Sequence, residues 1–384
     1  MFDLDKILEM TVSADASDLI LKTGSQPAVK VSGRVLFLSD DRITPAEAQQ
    51  IVERIAPPPV REAFERKGES DFSFHAGDGK GRFRCNVFRQ GGQIGLVLRQ
   101  IKATVPSFAD LNLPVRQFVH FANLDRGIIF ITGQTGSGKS TTLAAVIDAI
   151  VNTRNKHVIT LEDPIEYVFN DNLSIVNQRE IGTDTNSFAT GLRAAMREAP
   201  DVVMVGEIRD ADTMEAAIAA AETGHLVLTT LHTVNAIQTV ERIQTFFPPH
   251  QHQLVRLQLA TCLAGVASQR LLPNLKTSGM VPAVEVLMPT PRIKELIFEG
   301  KTRELEKALI EGLDYFGTQT FNMSLKSLLE QKLVSLEDAL AASDNPDELK
   351  LLIRGVSSGS GTAAAAAAAR EGGNPQRNKG PARF

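Results

Sequence analysis

Eight consecutive residues, Gly133-Gln134-Thr135-Gly136-Ser137-Gly138-Lys139-Ser140, satisfy the pattern GxxxxGK[ST] in full. An all-apolar segment over 127–132 (GIIFIT) leads into them and a helical pattern over 140–151 leads away. That strand, loop and helix setting is what a phosphate-binding loop requires. Glycine lets successive backbone N–H groups curl around an anion without a Cβ clash, and the helix start adds its partial positive charge. Lys139 is expected to reach the β- and γ-phosphates of a nucleotide, and the Ser140 hydroxyl to ligate Mg²⁺. The candidate binding set is Gly133, Thr135, Gly136, Ser137, Gly138, Lys139, Ser140 and Thr141.

Hydrolysis of a nucleotide held this way needs an acid for the metal and a base for water. Two glutamates stand at the carboxyl ends of predicted strands, where open α/β sheets bind ligands. They are Glu162, in the run Thr160-Leu161-Glu162-Asp163-Pro164-Ile165-Glu166, and Glu207, after Val202-Val203-Met204-Val205-Gly206. Gly206-Glu207 replaces the usual Walker B aspartate, so the longer carboxylate is expected to reach Mg²⁺ through water. Taken singly, each glutamate is also compatible with a cap or a solvated surface; beside the loop the pair is sharper. His225 and His232 flank a fourth apolar segment. Seven residues of extended chain span about 23 Å, so the two cannot share one ion. His232 is placed to sense a γ-phosphate by hydrogen bonding, whereas His225 reads as structural or interfacial.

The elements that must position these residues follow from the pattern of apolar residues. Between Leu113 and Met288, short strands apolar on both faces (127–132, 157–161, 202–205, 226–231) alternate with helical stretches such as 140–151 and 212–223. Such strands belong in a parallel sheet covered on both sides. Asp212 and Glu215 have capping-box spacing at the start of the last helix. Before residue 112 the pattern changes to period-2 alternation over 28–38, 71–74, 82–88 and 94–101, an antiparallel sheet with one wet face. Helices are expected over 3–12 and 45–56, the second stopped by Pro57-Pro58-Pro59. Residues 291–354 carry helical pattern throughout. The expected division is therefore 1–112, an α+β domain; 113–288, an α/β domain; 289–354, a helical module; and 355–384, a disordered tail.

Composition narrows the class. The chain has 384 residues, 43% of them hydrophobic, enough for a full core. Its net charge of −4 combines a +3 tail, four cations against Glu371, with a −7 body. That balance and the lack of a basic stripe argue against nucleic acid as a partner. Two cysteines, Cys85 and Cys262, exclude a disulfide scaffold or a four-cysteine zinc site. No basic-then-apolar leader opens the sequence and no apolar run nears the roughly 18 residues of a membrane span, so a cytoplasmic location is expected.

The order of these motifs resembles a known family. The phosphate loop is followed by Thr160–Tyr167 (TLEDPIEY, an Asp box), Pro200–Asp210 (PDVVMVGEIRD, an atypical Walker B) and Ala221–Thr233 (AETGHLVLTTLHT, a His box). The pattern is that of the hexameric secretion ATPases, and it is most similar to the type IV pilus retraction branch, the PilT/PilU-like twitching-motility ATPases. The resemblance covers residues 1 to about 354. It implies a RecA-like P-loop core bearing an N-terminal PAS-like α+β domain, with ATP and Mg²⁺ bound between them and six protomers in a homo-hexameric ring. It implies Glu162 as general base, Glu207 on Mg²⁺ and water, and His232 on the γ-phosphate. It also lifts Arg84 and Arg99, otherwise ordinary basic residues of a strand-rich region, to arginine fingers.

The implied partners are an inner-membrane pilus platform protein, which would place the motor peripherally at the cytoplasmic face, and a homologous retraction ATPase. Extension and secretion relatives usually carry a four-cysteine zinc insert and a further N-terminal domain, so this composition favours retraction. Arg292–Glu299 (RIKELIFE) matches the AIRNLIRE helix of PilT-type members in its apolar Ile293, Leu296 and Ile297. Glu295 and Phe298 depart from it on the polar face. With Gly317-Thr318-Gln319-Thr320-Phe321 downstream, this leans toward the accessory, PilU-like subtype. The alternatives are an assembly or type II secretion ATPase, and a ring subunit that only assists a partner motor.

Overall fold

The computed structural model describes residues 3–31, 33–77, 80–101, 104–312 and 316–355. Apart from Gly355, the expected tail lies outside the described residues. The described chain builds two sheets. The first has six antiparallel strands in the order β3-β2-β1-β6-β5-β4: β1 (Asp18–Lys22), β2 (Ala28–Val31), β3 (Arg34–Phe37), β4 (Glu69–His75), β5 (Arg82–Gln90) and β6 (Gln93–Ile101). Alternation decides its faces. Phe83, Cys85, Val87, Leu96 and Leu98 are buried with residues of α1 (Leu4–Ser13), α2 (Pro45–Ile55) and α3 (Pro58–Lys67), while Arg84 and Arg99 point to the other face.

Three details differ from the sequence reading. The 28–38 run is a hairpin that turns at Gly33, φ +79°, a backbone conformation that glycine adopts without strain. The prolines after α2 both end that helix and start α3, where they occupy the first positions and need no N–H partner. The short strand β1 was not anticipated, yet it joins β2 to β6.

The second sheet runs β13-β12-β7-β11-β10-β8-β9. Its members are β7 (Gly127–Thr132), β8 (His157–Glu162), β9 (Ile175–Glu180), β10 (Val202–Val205), β11 (Leu226–Leu231), β12 (Leu263–Pro273) and β13 (Met280–Leu287). All neighbours are parallel except β13 against β12. Alternate residues of β7 feed opposite cores: Ile128 and Phe130 join one apolar cluster, Ile129 and Ile131 the other. The central strands are thus dry on both faces, as their all-apolar sequences required.

Its helices are α4 (Val115–Ala122), α5 (Lys139–Thr153), α6 (Phe188–Ala195), α7 (Ala211–Glu222), α8 (Ala236–Thr245) and α9 (His252–Cys262). Helix α7 is capped by Asp210, whose Oδ1 accepts from Thr213 N at 2.8 Å, rather than by Asp212. Asp210 holds the extended φ/ψ of a cap, and Asp212 falls in the first turn, where its charge favours the helix dipole. The closing helices α10 (Pro291–Glu299) and α11 (Leu305–Glu311) bury Ile293, Leu296, Ile297 and Leu309 in the first of these clusters. Helices at Phe321–Glu330, Leu336–Ala342 and Pro346–Ile353 pack on β12 and β13.

Candidate active site

Because β7, β8, β10 and β11 are parallel neighbours, their carboxyl ends lie along one edge of the sheet. That edge receives the phosphate loop from β7, Glu162 from β8, Glu207 from just beyond β10 and His232 from just beyond β11. A cavity of about 650 Å³ opens there. Its walls include Thr135, Gly136, Lys139, Ser140, Thr141, Glu162, Glu207 and His232, and Arg99 reaches it from β6 of the other sheet.

The loop has the shape of an anion cradle. At Gly133, φ +145°, a Cβ would lie 2.5 Å from both the Gln269 carbonyl oxygen and Ser137 Oγ, so no side chain fits. Gly138, φ +87°, starts α5 without a side-chain cap, which leaves the helix's first N–H groups for a ligand. Ser137 Oγ is buried and has no hydrogen-bond partner within the protein. Lys139 Nζ donates to the carbonyls of Gly133 and Gln134, each at 2.9 Å. Burial lowers its proton affinity, while the fields of Glu207 and Glu166 oppose that effect. A bound polyphosphate would draw the ammonium off these carbonyls, replacing neutral acceptors with charged ones. The residues present therefore fit a nucleotide phosphate chain with its divalent cation.

The two carboxylates differ in environment. Glu162 is 6% exposed. Its Oε1 accepts from Thr160 Oγ1 at 2.7 Å and from Gln178 Nε2 at 3.0 Å, and Glu166 N lies 3.4 Å from Oε2. Burial raises its proton affinity, against the pull of those hydrogen bonds. A shielded carboxylate with raised basicity suits a general base. Glu207 has an ion pair and an imidazole beside it instead: Arg209 Nη2 is 2.6 Å from one oxygen and His232 Nε2 is 3.3 Å from the other. Thr230 Oγ1 donates to the Gly206 carbonyl at 2.7 Å, fixing the turn that presents Glu207.

Arg99 and Arg84 are directly opposed on β6 and β5. Arg99 Nε donates to Asp18 Oδ1 at 2.9 Å, and its side chain lines the cavity. Arg84 is exposed on the same face of the neighbouring strand and does not line it. His225 lies at the far end of β11, with Nδ1 3.0 Å from the Ala220 carbonyl oxygen, a contact within the turn after α7.

Sequence reasoning missed several residues that build the site. Tyr167 OH donates to Thr141 Oγ1 at 3.2 Å, tying the loop after β8 to the phosphate loop's helix. Gln269 Nε2 donates to Thr142 Oγ1 at 2.9 Å, and Ser268 Oγ pairs with Thr132 Oγ1 at 2.8 Å, so β12 braces the cradle from behind. Arg209 was visible in the GEIRD run but carried no signal of its own. Among the described residues no group of histidine, cysteine, aspartate and glutamate is arranged to hold a metal by itself. Both cysteines are free and buried, and burial pushes the Cys262 thiol up to about 12.

The sequence profile of the family described as Type II/IV secretion system protein matches residues 4–308. The Type IV pilus ATPase PilU of Pseudomonas aeruginosa is 39% identical over 352 residues, covering 92% of this chain and 91% of that protein. The same organism's type IV pilus retraction ATPase PilT is also 39% identical, over 90% of this chain and 99% of its own length. Among solved structures, the pilus retraction motor PilT with bound ADP superposes with a TM-score of 0.84 at 45% identity, covering 91% of this chain and 99% of that one. The Legionella pneumophila ATPase DotB gives a TM-score of 0.76 at 30% identity, covering 92% of this chain and 96% of its own.

Proposed function

The chain belongs to the Type II/IV secretion system protein family, and on that premise we propose that it is a retraction-class type IV pilus ATPase. It hydrolyses ATP at the carboxyl edge of the parallel sheet and uses the movement of one sheet against the other as its power stroke. The observation that carries this reading is the convergence of the phosphate loop, Glu162, Glu207 and His232 on one cavity, with Arg99 brought to it from the other sheet. The likeness to PilT and PilU over nearly the whole chain supports retraction and twitching motility as the work done.

In this mechanism the loop N–H groups and Lys139 bind the β- and γ-phosphates. Ser140, and Glu207 through water, would hold Mg²⁺, which when bound would supply neutralisation of phosphate charge. Glu162 takes the proton of the attacking water, helped by burial that makes its carboxylate more basic. Arg99 meets the charge spreading over the transferred phosphoryl group. His232, whose Nε2 lies 3.3 Å from Glu207, exchanges that carboxylate for the γ-phosphate as its acceptor, so loss of the phosphate is felt at Glu207. Arg84 serves the same charge only after the N-terminal sheet moves.

The motor unit comprises the N-terminal domain over 1–112, the ATPase domain over 113–288 and the helical module over 289–354. Six protomers form its ring, which acts on a platform protein at the inner membrane. No helix among the described residues is long and apolar enough to cross a membrane.

A second reading, the PilU-like accessory role, is favoured by the surface of α10. There Arg292 pairs with Glu295 at 2.8 Å and with Glu304 at 3.0 Å, and Phe298 is exposed. Deleting the gene and counting pili separates the readings. Hyperpiliated, non-twitching cells that Lys139→Ala fails to rescue support the principal role. Normal piliation with motility lost only under load supports the accessory one. Bald cells would mean assembly.

A further inference from the structure

The edge strand β9 was not anticipated from the sequence, and its side chains face two ways functionally. Paired in parallel register with β8, it sets Gln178 opposite Thr160 and Glu180 opposite Glu162. Since strand side chains alternate, these four polar groups share one face.

Gln178 is fixed by three hydrogen bonds. Its Nε2 donates to Glu162 Oε1 at 3.0 Å and to the Tyr167 carbonyl at 2.8 Å, and its Oε1 accepts from Phe169 N at 3.0 Å. The amide therefore cannot turn without releasing the loop after β8, whose Tyr167 in turn reaches Thr141.

Glu180, two residues along, is 5% exposed and receives the N-terminal sheet. Ser73 Oγ on β4 donates to its Oε2 at 2.7 Å, and Arg82 Nη2 on β5 lies 3.9 Å from the same oxygen. Ile165 N, from the loop that follows Glu162, also approaches Oε2, at 3.4 Å. One buried oxygen thus joins the sheet that carries Arg99 to the loop beside Glu162. A buried carboxylate is costly unless its partners stay in place, so displacement of the N-terminal sheet disturbs this point.

We propose that β9 couples the seating of the N-terminal sheet to the orientation of Glu162, with Gln178 as positioning residue for that carboxylate and Glu180 as the latch that receives the sheet. The coupling rests on the assignment of Glu162 as general base. It needs no contact between Gln178 or Glu180 and the nucleotide, since neither lines the cavity.

The test is steady-state ATP hydrolysis by the full chain, with binding of a fluorescent ADP followed in parallel. Gln178→Ala should lower kcat by about tenfold or more while KM and ADP affinity stay within about twofold. Gln178→Glu keeps the size but sets a second carboxylate against Glu162, and should lose kcat likewise. Ser73→Ala and Glu180→Ala should each lower kcat, and the double variant should be no slower than Glu180→Ala alone, because that change already removes the oxygen Ser73 meets. Wild-type kcat in Gln178→Ala, or multiplicative losses for Ser73 and Glu180, would overturn the coupling. A wild-type chain with no ATP turnover would instead sink the parent assignment of Glu162, and this inference with it.

Discussion

At the residue scale, binding and chemistry fall to different side chains in the proposed mechanism. On that mechanism Lys139 and the loop hold phosphate, so Lys139→Ala should abolish turnover. Glu207 is proposed to act through metal and water, so Glu207→Ala should leave nucleotide binding within a few-fold and slow hydrolysis by about tenfold or more, as phosphate release will report. Glu162 adds a pH signature. Its carboxylate must be ionised to accept a proton from water, and burial raises its proton affinity. Activity should therefore fall as pH drops through a point above the ordinary glutamate range. Thr160→Val removes a donor to the ionised form, so the acid limb of kcat should move to higher pH. An unmoved limb would exclude Glu162 as the group that titrates there. The phosphate loop and both glutamates could be read from sequence because local spacing encodes them. Gln178, Glu180 and Gln269 could not, because each acts on a residue distant in sequence: Glu162 on the paired strand, Ser73 of the other sheet and Thr142 of α5.

At the element scale, the parallel strands were legible because burial on both faces forces continuous apolar runs. The strands β9 and β12 were not. Strand β9 (IVNQRE) is a polar edge, and β12 follows α9 without a break. Strand β13 carries a buried acid, Glu285, whose Oε1 accepts from Ala236 N at 2.7 Å, at the start of α8. Burial leads the causes that raise its pKa to about 7, reinforced by Asp344 and Glu306 and opposed by that bond and by Arg270. The folded state thus favours the protonated acid. Its stability contribution is full below the ordinary glutamate pKa and is lost as pH rises through about 7. Glu285→Gln keeps an acceptor for Ala236 and carries no charge. Its melting temperature should exceed that of the wild type at pH 8 and match it near pH 4.5. An equal difference at both values would contradict the buried-acid account.

At the scale of the whole molecule, the two sheets are joined at two places that matter for chemistry. Arg99 overhangs the cavity, and Ser73 and Arg82 meet Glu180 beside the loop after β8. The change from period-2 strands to all-apolar strands marked the two sheets in the sequence. Nothing local showed that their juxtaposition completes a site; the arginines gained meaning only from resemblance, and the structure brings one of the two to the cavity. Phosphate release by the full chain carrying Arg99→Ala, measured beside the wild type, tests this composite site most directly. The account predicts ATP turnover by the wild type and a loss of about tenfold or more in kcat for the variant, with ADP affinity within about twofold. Equal rates would show that the parallel sheet works alone and would contradict catalysis between the two sheets.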